Sequence, residues 1–338
     1  MAVSSSHVTR TFRIRESELS ARFLRLKIEL DKPRPQGESA TDTPVVLQEP
    51  WLGTNNWEMF TSQRAVRLGP YRFCIYCGRT KYRENENRPL GVEHVIMAGI
   101  GGSLELLEAS CWECEKATSG IETKVVADMF DVPRRFLKVK MRAKTKNPRL
   151  PFKVIKDGAD VDLRIPFDRH PRILLLPEYS DPGIVSGQEP QRCNVSSLWV
   201  EELSPAQPAA AHFRSFYTPK VDMVLYAQFL AKIAHAFAIS QYAGDARYRP
   251  FLSKVIRTGF GDTGVWKDRH YFVGGKRGRF APSSALHELG LLVAPLGGKN
   301  IVVVRIRLFA MLGAPIYLVA VGALVGELSP GEMIAQSS

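Results

Sequence analysis

Three short stretches decide how this chain is read: Tyr71-Arg72-Phe73-Cys74-Ile75-Tyr76-Cys77-Gly78, then Gly91-Val92-Glu93-His94-Val95-Ile96, then Ala109-Ser110-Cys111-Trp112-Glu113-Cys114-Glu115. Each Cys-x-x-Cys knuckle turns the chain tightly enough to offer two sulfurs to one ion. Two knuckles together predict four thiolates, Cys74, Cys77, Cys111 and Cys114, arranged tetrahedrally about one zinc. Such a site has no open position and is structural; it performs no chemistry itself. Cys193 stands alone and reads as an incidental thiol.

Between the knuckles the residue types predict strand, turn, strand, helix. Val92, Val95 and Ile96 favour a strand around Glu93-His94, Gly99 to Gly102 supply a turn, and Ala109 to Phe130 read as a helix. Adjacent side chains on an extended strand point to opposite faces, so Glu93 and His94 reach one site only if the strand bends there or if one of them acts from a different side.

Working outward, the chain has 338 residues, 46 Lys+Arg against 34 Asp+Glu, and a net charge of +12. The 45% hydrophobic and 24% charged content excludes a disordered, collagenous or coiled-coil protein and leaves a folded, soluble one. Five cysteines are too few for a disulfide-stapled scaffold. The polar start of the chain, with Arg10, Arg13 and Arg15, lacks the apolar core of a signal peptide, so a reducing cytoplasm is expected. The uncharged stretch from Leu308 to Gly326 is broken by Gly313, Pro315 and Gly322; it is expected to form two buried strands joined at Leu312-Gly313-Ala314-Pro315, with no membrane contact.

Charge is concentrated in one place. Ten basic residues and no acidic one fall between Pro133 and Lys156, among them Arg134, Arg135, Lys138, Lys140, Arg142, Lys144 and Lys146. A basic strip beside a nearly neutral remainder is suited to a phosphate backbone, whose counterions it releases. Four segments follow. Residues 1–65 form an extension with a strand at Phe23 to Leu30 and a loop from Asp31 to Pro44; 66–132 carry the knuckles; 133–156 are the basic strip; 157–338 form a larger α+β domain. In that last part Val221 to Ser240 reads as a helix, with Met223, Ala227, Leu230, Ala234 and Phe237 on one face and Gln228, Lys232 and His235 on the other. Leu289 to Pro295, Ile301 to Met311 and Ile316 to Val321 read as strands of an antiparallel sheet. His235, His270 and His287 read as packed or surface histidines, Trp112 as a core residue, and Glu122 as a neighbour of Glu115 on one helical face.

The ordered combination of Cys-x-x-Cys, an acidic residue before His-Val-Ile, a Gly-Gly loop and Ala-Ser-Cys-x-x-Cys resembles the zinc-stapled branch of the HNH endonuclease family over roughly residues 71 to 130. The fold that this resemblance implies is α+β, a ββα-metal module with a structural zinc beside the larger domain. It implies that His94 is the general base and that Glu93, with Glu115 in the place of the last His or Asn of the motif, holds Mg²⁺ or another divalent ion against a DNA phosphate, RNA not being excluded. A carboxylate is a competent oxygen ligand for Mg²⁺.

One position departs from the pattern. Relatives commonly carry Asn just before Ala-Ser-Cys, whereas this chain has Glu108, which donates no hydrogen bond when ionised. Either a backbone carbonyl or another side chain orients His94, or catalysis is weakened. The alternative reading is therefore a zinc-stapled nucleic-acid-binding or regulatory protein.

Overall fold

The computed structural model describes residues 65–139, 148–186, 195–203, 219–257, 280–296 and 298–326, together with short segments at 23–24, 27–29, 58–59, 215–217 and 271–276. Cys193, His270, the 31–44 loop and four residues of the basic strip, Lys140, Arg142, Lys144 and Lys146, lie outside these residues.

The expected strand, turn, strand, helix order is present. Strand β1 (Val66–Leu68) runs parallel to β3 (Leu104–Ser110), and β2 (Gly91–His94) pairs antiparallel with β3, so the long strand sits in the middle. The turn between β2 and β3 is a 3₁₀ segment, Ala98–Ile100, closed by Gly101 at φ +98. A Cβ on the next residue, Gly102, would lie 1.9 Å from the Ile96 carbonyl oxygen, so no side chain fits there.

Helix α1 (Trp112–Val125) begins three residues later than the sequence suggested. The Ala109 carbonyl accepts the Ile75 N–H at 2.9 Å, and this bond to the first knuckle keeps Ala109 and Ser110 extended. Glu113 and Glu115 lie in its first turn and Lys124 in its last, charges that suit the helix dipole. A π turn, Val126–Phe130, buries Val126, Met129 and Phe130 before the short helix Asp131–Phe136.

The end of the basic strip is itself a strand: β4 (Arg149–Lys156) and β5 (Ala159–Pro166) form a hairpin that is joined by the 215–217 and 27–29 strands. The next pair is β6 (Ile173–Tyr179) with β7 (Val195–Glu202). Helix α2 (Met223–Tyr242) is capped by Asp222, whose carboxylate accepts the Leu225 N–H at 3.0 Å. It is long and apolar enough to cross a membrane, yet 94% of that stretch is buried inside the protein. The two-faced helix expected from its periodicity is instead surrounded: Gln228, Lys232 and His235 are as buried as Phe229 and Leu230.

The C-terminal antiparallel sheet is as expected. Strands β8 (His287–Leu296), β9 (Lys299–Leu308) and β10 (Ile316–Leu324) are consecutive, and the uncharged stretch from Leu308 to Gly326 is the end of β9, the β9–β10 connection and β10. Arg307 is buried in this sheet because its guanidinium donates to the carbonyls of Ala314 at 3.0 Å and Ala281 at 2.7 Å. One apolar core runs from Cys74 through α1 and α2 to Leu324, with Phe130 against Phe309 at 5.2 Å and Tyr226 against Tyr317 at 5.5 Å. The segment carrying the knuckles and the C-terminal sheet therefore share α2 between them.

Candidate metal centre and active-site face

The first knuckle is a tight turn in which the Gly78 N–H reaches the Cys74 carbonyl at 2.8 Å, with Gly78 at φ +79. The second opens α1: Cys111 is its extended N-cap, and the Glu115 N–H bonds the Cys111 carbonyl at 2.8 Å. The ligand atoms of Cys74, Cys77, Cys111 and Cys114 all lie within 4.8 Å of one another. A zinc with Zn–S bonds of about 2.3 Å places its sulfurs about 3.8 Å apart. The Cys77 and Cys111 sulfurs are 3.6 Å apart, so the quartet fits a tetrahedral zinc. The thiols also show what a cation would relieve. Hydrogen bonding from Cys114 holds Cys74 down at about 4, while that same bond pushes Cys114 far up and burial pushes Cys111 to about 12. A divalent cation among the four sulfurs would favour their thiolate forms.

On β2 the two residues of the Glu-His pair part company as strand geometry demands. Glu93 points inward and is 4% exposed, whereas the His94 side chain is 37% exposed. His94 faces Glu105, its register partner on β3, with Nε2 3.5 Å from Oε1. The other oxygen of Glu105 accepts from Arg67 Nε at 2.9 Å. Glu105 was invisible to motif reasoning. Its signal was the strand pairing itself, which places a carboxylate opposite the histidine.

Glu93 meets a different partner. The Lys232 ammonium, at the centre of α2, lies 2.7 Å from Glu93 Oε1 and 2.6 Å from Glu122 Oε1. It also donates to the backbone carbonyls of His94 and, at 3.3 Å, Val95. Burial raises the Glu93 pKa and Lys232 opposes it, while the two carboxylates keep Lys232 firmly protonated. Glu122, expected only as a neighbour of Glu115, thus serves Lys232.

Glu115 is separately engaged, its Oε2 accepting the Tyr82 hydroxyl at 2.9 Å. Among the described residues the four cysteines are the only group of three or more ligand atoms that could hold a metal. Glu93 and Glu115, the two carboxylates expected to share a divalent ion, are thus engaged with different partners, Lys232 and Tyr82.

The histidines read as bland have defined work. His235 Nε2 bonds the Ile75 carbonyl at 2.7 Å, and its ring stacks on Tyr76 at 5.4 Å. His287 Nε2–H donates to the Ile100 carbonyl at 2.8 Å, and its Nδ1 accepts the Phe309 N–H at 3.2 Å. With Lys232, these residues tie the first knuckle, the end of β2 and the 3₁₀ turn to the C-terminal half. The sequence signal was a lysine and a histidine inside an otherwise apolar helix, since buried polar groups persist only where they are bonded.

Other expectations change in detail. Trp112 lies under the Arg83 guanidinium at 4.2 Å and near Lys116 at 5.2 Å rather than in the core. Arg134 and Arg135 of the basic strip both bond Asp131, which partly spends their charge within the protein. Lys138 is the other described residue of the proposed nucleic-acid contact and adopts a left-handed backbone, φ +55. Glu108 is also left-handed, φ +51, in the irregular stretch of β3 where the register with β2 shifts. Comparison with protein-family models, curated proteins and solved structures finds no match to this chain.

Proposed function

We propose that the chain is a phosphodiester hydrolase of the HNH type acting on DNA, RNA not being excluded, with a structural zinc at the four cysteines and His94 as general base. The observation that carries this reading is the half-exposed His94 facing Glu105 on a strand pair whose flank is stapled by the cysteine quartet. A neutral imidazole has one donor and one acceptor nitrogen. A tautomer with its Nε2–H toward Glu105 would leave the lone pair of Nδ1 to take a proton from an attacking water, and imidazole suits that task near neutral pH. Glu105 fills the orienting role that Glu108 cannot. Arg67 and the basic strip from Arg134 to Lys146 supply positive charge for the phosphate backbone. The divalent ion implied by the family resemblance would act as a Lewis acid on the phosphate; Glu93 is not among its ligands while Lys232 holds it.

A second reading has a specific observation behind it. Glu93 is neutralised from within, which suits a zinc-stapled nucleic-acid binder that has lost hydrolysis. A plasmid-nicking assay separates the two, run with wild-type protein and His94→Ala, in Mg²⁺ and in EDTA, with zinc measured on every sample. Cleavage that needs His94 and the divalent ion supports the hydrolase. DNA retained with salt-dependent affinity but left uncut by zinc-loaded protein supports the binder.

A further inference from the structure

Lys232 Nζ stands in a cage of four oxygens: two carboxylates, Glu93 and Glu122, and two backbone carbonyls, those of His94 and Val95. The ammonium is fully buried, at 0% exposure. Carboxylate and carbonyl oxygens are the donor types that hard cations take, and four buried ones suit an ammonium better than a Mg²⁺ or Ca²⁺ that needs six or more. The site is filled by an amine covalently tethered to α2.

We propose that the Lys232 ammonium is the resident cation of the Glu93 site, in place of a divalent metal. Two consequences follow from the geometry. Glu93 is withheld from any ion that works at the outer face of the strand pair, because its carboxylate lies on the opposite side of β2 from His94. The backbone carbonyls of His94 and Val95 meet the same ammonium, so the end of β2 is anchored from inside the protein by a residue far along the chain. This inference concerns the inner side of β2 and stands whether or not the outer side cleaves nucleic acid.

The test reads binding and stability, not cleavage, so its failure is distinguishable from failure of the hydrolase reading. Zinc-loaded wild-type protein and Glu93→Gln are titrated with Mn²⁺ and followed by electron paramagnetic resonance. The expected result is the same number of Mn²⁺ ions bound per chain in both proteins. A Mn²⁺ site present in the wild type and lost in Glu93→Gln overturns the proposal. A second measurement covers the lysine itself. Lys232→Ala opens a space shaped for the missing propylammonium end of the side chain; its melting temperature is expected to rise by several degrees with n-propylammonium chloride and not with tetramethylammonium chloride, which has the charge but no N–H. Wild-type protein is expected to respond to neither. Equal response of the variant to both salts, or to neither, overturns the oxygen cage as a cation site.

Discussion

His94 and Glu105 face each other across the β2–β3 pair at 3.5 Å, and the carboxylate is held from its far side by Arg67. In the proposed hydrolase Glu105 would be the orienting partner of the histidine. His94→Ala is expected to lower nicking on the order of 10²- to 10⁴-fold, the span that a general base contributes. Glu105→Gln keeps the shape but removes the charge that favours one tautomer; a smaller loss is expected. Nitrogen-15 shifts of the His94 ring, compared between wild type and Glu105→Gln, check the mechanism: the proton is expected to redistribute from Nε2 toward Nδ1.

Removing the zinc is expected to unfold more than a knuckle. Cys74, Cys111 and Cys114 are buried members of the main core, beside Ile75 and Tyr76, and the first knuckle carries the carbonyl that His235 holds. Structural zinc in small domains contributes about 10–16 kcal/mol of binding energy that is also folding energy. Cys111→Ser or a strong chelator should therefore take bound zinc from one per chain to none and lower the melting temperature by well over ~10 °C. Thermal denaturation with parallel metal analysis checks this. An unchanged melting curve after complete zinc loss would refute the assignment.

Lys232→Met is expected to destabilise the protein by about 3–5 kcal/mol, because it leaves two buried carboxylates without their cation. Glu93→Gln added to Lys232→Met should recover part of that loss, since one uncompensated charge is removed with its partner. Urea unfolding of the two single variants and the double variant measures the coupling. Strictly additive effects would show that the two side chains do not interact.

His287 is buried and neutral, with its pKa pushed down to about 4 by burial. The folded value lies below the ordinary value near 6.5, so the unfolded chain binds the extra proton first. The stabilisation is complete above about pH 6.5 and is lost progressively as pH falls toward 4, a change of about 3 kcal/mol in full. Protonation would also set a donor at Nδ1 against the Phe309 N–H. In His287→Gln that part of the acid sensitivity should disappear, which a comparison of urea midpoints at pH 7.5 and 5 would reveal.

Gly102→Ala is expected to disrupt the β2–β3 turn, since the new methyl carbon would overlap the Ile96 carbonyl oxygen and backbone must shift to admit it. The variant should melt lower and lose nicking activity together. Gly120→Ala, where an added methyl meets no neighbour within 4 Å, is the control and should be neutral or slightly stabilising within α1.

Much of this was legible from local chemistry. Two knuckles predicted one quartet of sulfurs, and the alternation of side chains along a strand predicted that Glu93 and His94 would face opposite ways. Gly and Pro punctuation placed β9 and β10. The boundary of α1 was missed because Ala109 is held extended by a bond to Ile75, 34 residues earlier, which helix propensity cannot register. The surroundings of α2 were missed for a related reason: periodicity reports which face is most apolar, whereas the other face is buried too when each polar group on it finds a partner.

The sequence by itself determined the sulfur quartet, the strand-turn-strand-helix order around it, the antiparallel C-terminal strands and the opposite facing of Glu93 and His94, because spacing and side-chain period act within a few residues. Only the tertiary structure decided that Glu93 belongs to Lys232, that Glu105 belongs to His94 and that His287 fixes the Ile100 turn. Those pairings join residues on different elements, and they form because a buried charge or N–H must be met by whatever partner the packed core brings within reach.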